Sequence, residues 1–491
     1  MGTISSAFAM MSSSLDADQA ALNVVANNVA NANTTGYTVE TPNWRENQPI
    51  SINGIESGDG ASETGSASQR DNVLLQRLDQ QQQLASASTS RLSALNTVQA
   101  LFTPDSGSAS ATAGDIGSDI TGFFSSFSSL ETNPTDNSLR EQVLSSASTL
   151  AGDVSNAASS LNSQRSALDQ EAAGSVSQVN ALTSNLAQLN QQIESTSPNG
   201  DAGTLEDQRQ QDLSQLSQLI GINQIKTDNN GLEITTTSGQ LLVSGNSSVQ
   251  MTSGTVDGVT HFYLGTTDVT SQLTAGGGSL GGTLTARDQD IPNVLASLDQ
   301  LAYSVSTQVN TLNNAGTDAD GATGTAVPSS TTGAMTLDIF SPPPTLAANL
   351  ATGSNDVSGS ALSMSVVMTD PNHIAAAGSG DSTGDSSNAA SMAKLGSQQT
   401  VNGQSPTNYY SNFVTTLGSK VSSVQTENTA QNASVTQLQT QNDSISSVNL
   451  NDEASAMTTL ERSYQAASQV FAMLNTIMAS ALNLGDQTTV S

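Results

Sequence analysis

The sequence contains no cysteine and very little positive charge. Without cysteine among the 491 residues, disulfides and thiolate metal sites are excluded. Lysine and arginine number 12 against 43 aspartates and glutamates, which gives a formal net charge of −31. So few basic residues cannot form the positive stripe that binds a nucleic-acid backbone, and an anionic membrane surface would repel the chain. We therefore expect no nucleic-acid partner and no membrane partner.

Long apolar runs and aromatic residues are also scarce. No segment approaches the roughly 18 uninterrupted apolar residues of a membrane span, so we expect no membrane insertion. Aromatic residues make up 3% of the chain, and charged residues make up 11%, against roughly 25% in a typical soluble protein. The first basic residue is Arg45, so the basic region of a cleaved secretory signal is missing. Any export should therefore use another route.

The two ends of the chain carry its clearest amphipathic helices. Apolar residues follow a heptad spacing near the N-terminus: Ile4, Phe8, Met11, Leu15, Leu22, Val25 and Val29. A second heptad lies near the C-terminus: Met457, Leu460, Tyr464, Ala467, Phe471, Leu474, Met478 and Ala481. This spacing places each set on one stripe of a helix. We expect the two helices to pair with each other or with copies from neighbouring subunits.

Helical and strand-like patterns alternate between these ends. Helical periodicity predicts long helices over 70–101, 137–197, 205–219, 284–313 and 407–447. Period-two runs with turn signals predict strands over 222–273 and a second β segment from Leu337 to Met368. The predicted fold is mainly α with inserted β domains. It has a discontinuous stalk of N- and C-terminal coiled-coil helices, a helical-bundle body and an outer β-rich region.

The predicted domains are discontinuous in sequence. Residues 1–40 and 450–491 are expected to form an inner coiled-coil domain. The long-helix body is expected to comprise 41–225, 280–315 and 400–449. Residues 226–279 are expected to form a β-hairpin region, and 316–399 an inserted outer β-rich domain.

Few residues are suited to chemistry. His261 and His373 have no second histidine or cysteine beside them, which favours solvent-facing side chains over a zinc site. The acidic segment 316–321 lacks the distal glutamate of a calcium loop, so a flexible loop is favoured. Trp44 is expected to anchor the junction of stalk and body, with a partner contact as the alternative. We expect no enzyme activity, no cofactor, and no catalytic, cofactor-binding or metal-binding residue.

Two terminal segments resemble motifs of one protein family. SSLDADQAALNVVANNVANANTTGYT, from Ser13 to Thr38, is similar to the N-terminal motif of the bacterial flagellar axial proteins, which include rod, hook and hook-associated proteins. Residues 448–484 resemble the C-terminal motif of the same family. Four interior regions resemble the hook-associated branch, which includes the first junction protein between hook and filament: 70–197, 205–222, 279–302 and 384–395.

The resemblance implies a structural role. In this family the terminal helices form an inner coiled-coil layer around the export channel, with the other domains farther out. The chain would polymerise at the hook tip as an adaptor between hook and filament. Its implied partners are itself, hook protein, a second hook–filament junction protein, a flagellar export chaperone and the type III export apparatus. Its implied location is the extracellular flagellum, reached without a cleaved signal peptide.

The positions that match the terminal motifs are the candidate assembly interface. They are Leu15, Leu22, Val25, Asn27, Asn28, Asn31, Thr35, Gly36, Tyr37, Leu460, Tyr464, Phe471, Leu474 and Leu482. Coiled-coil packing within one subunit is the alternative, and it would use the same stripe. Another axial protein, such as hook or distal rod protein, would be favoured if 70–197 were not long helices. A secreted adhesin or enzyme on a β-rich scaffold is a further alternative.

Overall fold

The chain folds mainly as α-helices with small antiparallel sheets. The computed structural model describes residues 2–52, 55–103, 115–197, 201–256, 258–325 and 335–487. The long helices are α1 (Gly2–Asn31), α2 (Asn72–Ala100), α3 (Ile116–Thr132), α4 (Asn137–Thr196), α5 (Thr204–Leu219), α8 (Ile291–Ala315), α12 (Pro406–Ser446) and α13 (Leu450–Gln487). The shorter helices are α6 (Thr270–Gly276), α7 (Gly278–Thr285), α9 (Leu346–Thr352), α10 (Ser360–Ser363) and α11 (Ser387–Leu395). In this described part, no helix is both long and apolar enough to cross a membrane.

A β-hairpin follows α1 directly. Its strands are β1 (Glu40–Glu46), β2 (Ile50–Ile52), β3 (Ile55–Ser57) and β4 (Ala61–Ser68). β1 pairs antiparallel with β4, and β2 pairs antiparallel with β3. The hairpin lies against α1, where the Ser13 hydroxyl donates to the Ala61 carbonyl at 3.1 Å. This hairpin was not predicted from the sequence, where the region was expected to belong to the helical body.

The remaining strands form two antiparallel sheets in the middle of the chain. Their strands are β5 (Ile222–Lys226), β6 (Leu232–Thr236), β7 (Leu241–Ser244), β8 (Ser247–Ser248), β9 (Met251–Val256), β10 (Val259–Leu264) and β11 (Thr267–Asp268). One sheet has the order β5–β6–β7–β8 and the other has the order β11–β10–β9. The prediction of strands over 222–273 is confirmed.

The described residues of the body form two hydrophobic cores, and α4 contributes to both. At 1.5 Å per residue, the 60 residues of α4 span about 90 Å. Val143 to Leu168 pack with α2, α3, α8, α11 and α12, and Phe123 and Phe127 fill the same core. Ala172 to Ala187 pack with α5, α6, α7 and the middle strands. The predicted long helices α2, α4, α5, α8 and α12 are thus confirmed.

The second predicted β segment is wrong. In the described part of 316–399 no regular strand forms, and an isolated bridge joins Phe340 to Val366. The alternating residues Met364 and Met368 are buried, but they pack into the helical core, and no neighbouring strand covers them. Leu362 lies in α10 and is half-exposed. The inserted region is therefore irregular chain with short helices, and the domain boundaries given above stay a prediction.

Candidate assembly interface

The terminal helices α1 and α13 pack together in antiparallel orientation. The Phe8 and Phe471 rings lie 4.3 Å apart between centroids. Near the other end of the pair, Asn28 meets Glu453. Each residue pair joins an early position of one helix to a late position of the other, which makes the helices antiparallel. The two terminal helices of one chain thus pair with each other.

The buried seam of this pair differs from the predicted heptad stripe. Ala17, Ala21 and Val25 are buried on α1, and Ala467 is buried on α13. Of the candidate residues, Leu15, Leu22, Leu460, Phe471 and Leu474 are only half-buried. Val29 and Tyr464 are exposed, at 39% and 37%. Leu482 lies on α13, and its side chain is outside the described residues. The small alanines allow the two backbones to approach closely, which leaves the larger apolar side chains at the edges of the seam.

α13 also carries apolar residues that no described part of the chain covers. Val470, Met473 and Ile477 are 44%, 64% and 46% exposed, and they follow a three-and-four spacing. This spacing places them on one face of the helix, away from α1. We call Val470, Met473 and Ile477 the outer stripe. Contiguous exposed apolar surface of this kind is typical of a contact site.

Asn28 is the centre of a buried polar network below the seam. Its Nδ2 donates to the Glu40 carbonyl at 2.8 Å and to Glu453 Oε1 at 3.1 Å. Its Oδ1 accepts from the Tyr37 hydroxyl at 2.8 Å and from the Glu40 amide at 3.0 Å. Burial, followed by the carboxylates of Glu40, Asp207 and Glu453, raises the pKa of Tyr37 to about 12. Tyr37 therefore stays a neutral donor. Both donor and both acceptor positions of the Asn28 side-chain amide are used within this junction.

The other residues of the N-terminal motif shape the end of α1. Asn31 Nδ2 donates to the Asn27 carbonyl at 3.0 Å, and the Thr34 hydroxyl donates to Asn31 Oδ1 at 3.2 Å. Gly36 has a φ of +83°, a left-handed conformation that favours glycine. Thr35 is exposed beside it. These contacts end the helix and turn the chain toward β1.

A polar joint connects the terminal helices to the body. The Thr38 amide and hydroxyl donate to Asp207 at 3.0 and 2.7 Å, and the Val39 amide donates to the Ser446 carbonyl at 2.9 Å. Arg70 binds Glu206 at 2.5 Å and Asp207 at 2.6 Å, with its side chain 7% exposed. Sequence reasoning missed this joint, because Arg70 and its carboxylates lie more than 130 positions apart.

The histidines and the tryptophan lie away from this junction. His261 Nδ1 lies 2.7 Å from Asp268 Oδ2, so it has a carboxylate partner although it is partly exposed, as expected. Hydrogen bonds from Thr270, followed by His261, lower the pKa of Asp268 to about 2. Trp44 is half-exposed on β1 of the hairpin. A side chain this exposed does not anchor the junction of stalk and body. The alternative interpretation, a contact with a partner, remains a prediction.

Comparisons with known proteins agree with this architecture. Residues 106–327 match the family model described as "Flagellar hook-associated protein FlgK helical domain", and residues 11–38 match "Flagella basal body rod protein". The chain is 27% identical to flagellar hook-associated protein 1 of Escherichia coli and to that of Salmonella typhimurium. Both alignments cover 96% of this chain and 98% of the relative.

A solved structure has the same fold over most of the chain. It is described as the flagellar hook junction protein FlgK from Burkholderia pseudomallei, with a TM-score of 0.61 and 19% identity. The match covers 75% of this chain and 100% of that chain. At 19% identity this structure shows a shared fold alone. The sequence similarity over nearly the whole chain comes from the relatives in Escherichia coli and Salmonella typhimurium. Over nearly its whole length the chain is similar to flagellar hook-associated protein 1, and its middle part matches the helical-domain model of that protein.

Proposed function

We propose that this chain is a structural protein of the bacterial flagellum that polymerises at the hook tip as the junction between hook and filament. The observation that carries the proposal is the outer stripe on α13. Its apolar residues lie on a helix fixed to the body by the Asn28 network and the polar joint, so the stripe is held in one orientation. A neighbouring copy that covers the stripe would remove its apolar surface from water.

The candidate interface residues divide between two roles in this proposal. Val25, Asn28, Tyr37 and Phe471 hold α1 and α13 together within one subunit. The exposed or half-buried residues would contact neighbouring subunits: Leu15, Leu22, Asn27, Asn31, Thr35, Gly36, Leu460, Tyr464, Leu474 and Leu482. The inner coiled-coil domain, the body and the outer inserted region then retain the boundaries proposed from the sequence.

Several partners and a location belong to the same proposal. The subunit contacts itself, hook protein and the second hook–filament junction protein in the extracellular flagellum. An export chaperone and the type III export apparatus handle it before assembly, without a cleaved signal peptide. The role is structural, and the chain acts without catalysis. Because α2 and α4 are long helices, the condition that favoured hook or distal rod protein is not met.

The first test is deletion of the gene followed by electron microscopy. We expect cells that keep their hooks, lack filaments and release filament subunits into the medium. A plasmid copy of the wild-type gene should restore filaments. Cells that build normal filaments without the gene would refute the junction role.

A second test concerns the outer stripe itself. The double variant Met473→Glu/Ile477→Glu should fail to restore filaments, because two carboxylates would be buried without partners between subunits. Asn475→Glu is the matched control, since it adds a charge to an exposed position of the same helix turn. Circular dichroism of the purified variants should match that of the wild type. Full complementation by the double variant would refute the stripe as an assembly contact.

A further inference from the structure

A tight turn in the inserted region presents a buried carboxylate. Asp318 Oδ1 accepts from the amides of Asp320 and Ala322 at 3.0 and 2.8 Å. Antiparallel bridges join Thr317 to Thr323 and to Ala377. The described part of this acidic segment is therefore a fixed turn, whereas the sequence favoured a flexible loop.

The second oxygen of Asp318 has no partner. Asp318 is 1% exposed, and its Oδ2 accepts no hydrogen bond from any described residue. A buried carboxylate oxygen without a donor lowers the stability of the fold, because it has lost its hydrogen bonds to water and has formed none within the protein. Such an atom is unusual in a folded protein and indicates a missing partner, such as a bound ion.

Two further ligand groups lie beside this carboxylate. Single ligand atoms of Asp318, Asp320 and His373 all lie within 4.8 Å of one another. Neither Asp320 nor His373 is buried, so both side chains have room to adjust. Zinc bonds to nitrogen and oxygen of about 2.0–2.2 Å require ligand atoms about 3.3 Å apart, so the groups need to close by about 1.5 Å at most.

We propose that Asp318, Asp320 and His373 form a binding site for a divalent transition cation of the zinc type. The His373 imidazole favours zinc over calcium and magnesium. Calcium and magnesium bind oxygen ligands, whereas zinc binds imidazole together with carboxylates. The three protein ligands leave a fourth position of a tetrahedral site for water. The sequence disfavoured zinc because neither histidine has a second histidine or a cysteine beside it. The other ligands come instead from the acidic turn, which is 55 positions from His373 at Asp318.

A buried arginine holds one side of this site in position. Arg140 is 1% exposed and donates to the carbonyls of Pro134 and Ile374, next to His373. The Arg140 guanidinium interacts electrostatically with Asp318 and Asp320, but among the described residues it forms no ion pair with either within 4.0 Å, and Asp318 Oδ2 accepts no hydrogen bond from it. A bound cation would join the 317–323 turn to the 371–374 segment, where His373 is more than 50 positions from Asp318 and Asp320.

Calorimetric titration of the full-length, chelator-treated protein with ZnCl₂ tests the site. We expect one Zn²⁺ per chain and a rise in Tm on zinc addition. His373→Gln and Asp320→Asn should each weaken binding at least about tenfold, since even loss of an outer-shell group costs about 10–100-fold. Co²⁺ should give the visible absorption of a four-coordinate site in the wild type and lose it in His373→Gln.

His261→Gln is the matched control, because His261 also lies beside a carboxylate, that of Asp268. It should bind Zn²⁺ as tightly as the wild type. Asp320 and His373 are not buried, so their variants should fold, which circular dichroism would verify. The proposal is wrong if zinc does not bind stoichiometrically or if His373→Gln binds it equally well. Tight Ca²⁺ binding that survives His373→Gln would also overturn it, since the site would then use oxygen ligands alone.

Discussion

Asn28 and Glu453 join the two ends of the chain across 425 positions of sequence, with Asn28 Nδ2 donating to Glu453 Oε1 at 3.1 Å. Both residues are buried, and Glu453 lies in the first turn of α13. A carboxylate in the first turn is favoured by the helix dipole. The side-chain amide of Asn28, near the end of α1, thus fixes the first turn of α13.

Asn28→Ala should loosen the terminal helix pair. The substitution leaves the Tyr37 hydroxyl, the Glu453 carboxylate and the backbone of Glu40 without their partner. Loss of several buried hydrogen bonds should cost about 2–4 kcal/mol. Hydrogen exchange measured by mass spectrometry should show faster exchange in α1 and in the first turns of α13.

Asn27→Ala provides the control for this prediction. Asn27 is the exposed neighbour on the same helix, and its side chain makes only a long contact of 3.4 Å with Asn31 among the described residues. Its exchange rates should match those of the wild type. Equal exchange in both variants would show that the Asn28 network does not hold the helix pair.

Arg70→Ala should destabilise the attachment of α1 to the body. It leaves Glu206 and Asp207 adjacent and without their counter-charge in a largely buried joint. Breaking a buried ion pair in this way costs about 3–5 kcal/mol. Urea denaturation should therefore show a lower midpoint. Arg77→Ala, which removes an exposed arginine in the first turns of the following helix α2, should leave the midpoint almost unchanged, and an equal loss would contradict the role of the joint.

The helical part of this fold follows from the sequence because its cause is local. A stripe of apolar residues with helical period, as in α4, has one way to be buried, whatever it packs against. The β1–β4 hairpin has no such pattern: strands such as ETPNWRE contain few apolar residues and are held by backbone pairing and by α1. Met364 and Met368 had a strand-like alternation, yet they lack neighbouring strands and fill a helical core.

The candidate interface was less predictable from the sequence than the helices. The resemblance to a family identifies the motif residues, but it does not show which of them are buried and which are exposed. Sequence spacing gives no sign that Ala17 and Ala21 would be more deeply buried than Leu15 and Leu22. That outcome depends on how closely two distant helices approach. The same limit applies to Asp318 and His373, which only the folded chain brings together.

Gly282→Ala should destabilise the body although alanine favours helices. Gly282 lies in α7, and an added Cβ would overlap the carbonyl oxygen of Ala87 in α2. Relief of that overlap requires the two helices to separate, at a cost of about 1–3 kcal/mol, which exceeds the gain of about 1 kcal/mol in helix propensity.

Gly152→Ala tests the same substitution where there is space. Apart from the adjacent residues and backbone of α4 itself, no described atom lies within 4 Å of a Cβ added at Gly152, which is inside α4. This variant should be more stable than the wild type by about 0.5–1 kcal/mol. Thermal denaturation of both variants should shift Tm in opposite directions. A rise in Tm for Gly282→Ala would show that α2 and α7 do not approach so closely.

Asp79 should make the stability of the body depend on pH. Burial raises the pKa of Asp79 to about 6, against the opposing effect of hydrogen bonds from Gln224 and Gln210. Since the unfolded pKa is lower, 3.8, the folded state holds the proton more tightly between these values. The protonated Asp79 therefore stabilises the fold below about pH 4, and about 2–3 kcal/mol of the free energy of unfolding is lost as pH rises through about 6.

Urea denaturation between about pH 4.5 and 8 should show this loss in the wild type relative to Asp79→Asn, which has no proton to release. The exposed Glu131→Gln should instead parallel the wild type, and a parallel course for Asp79→Asn would contradict the assignment.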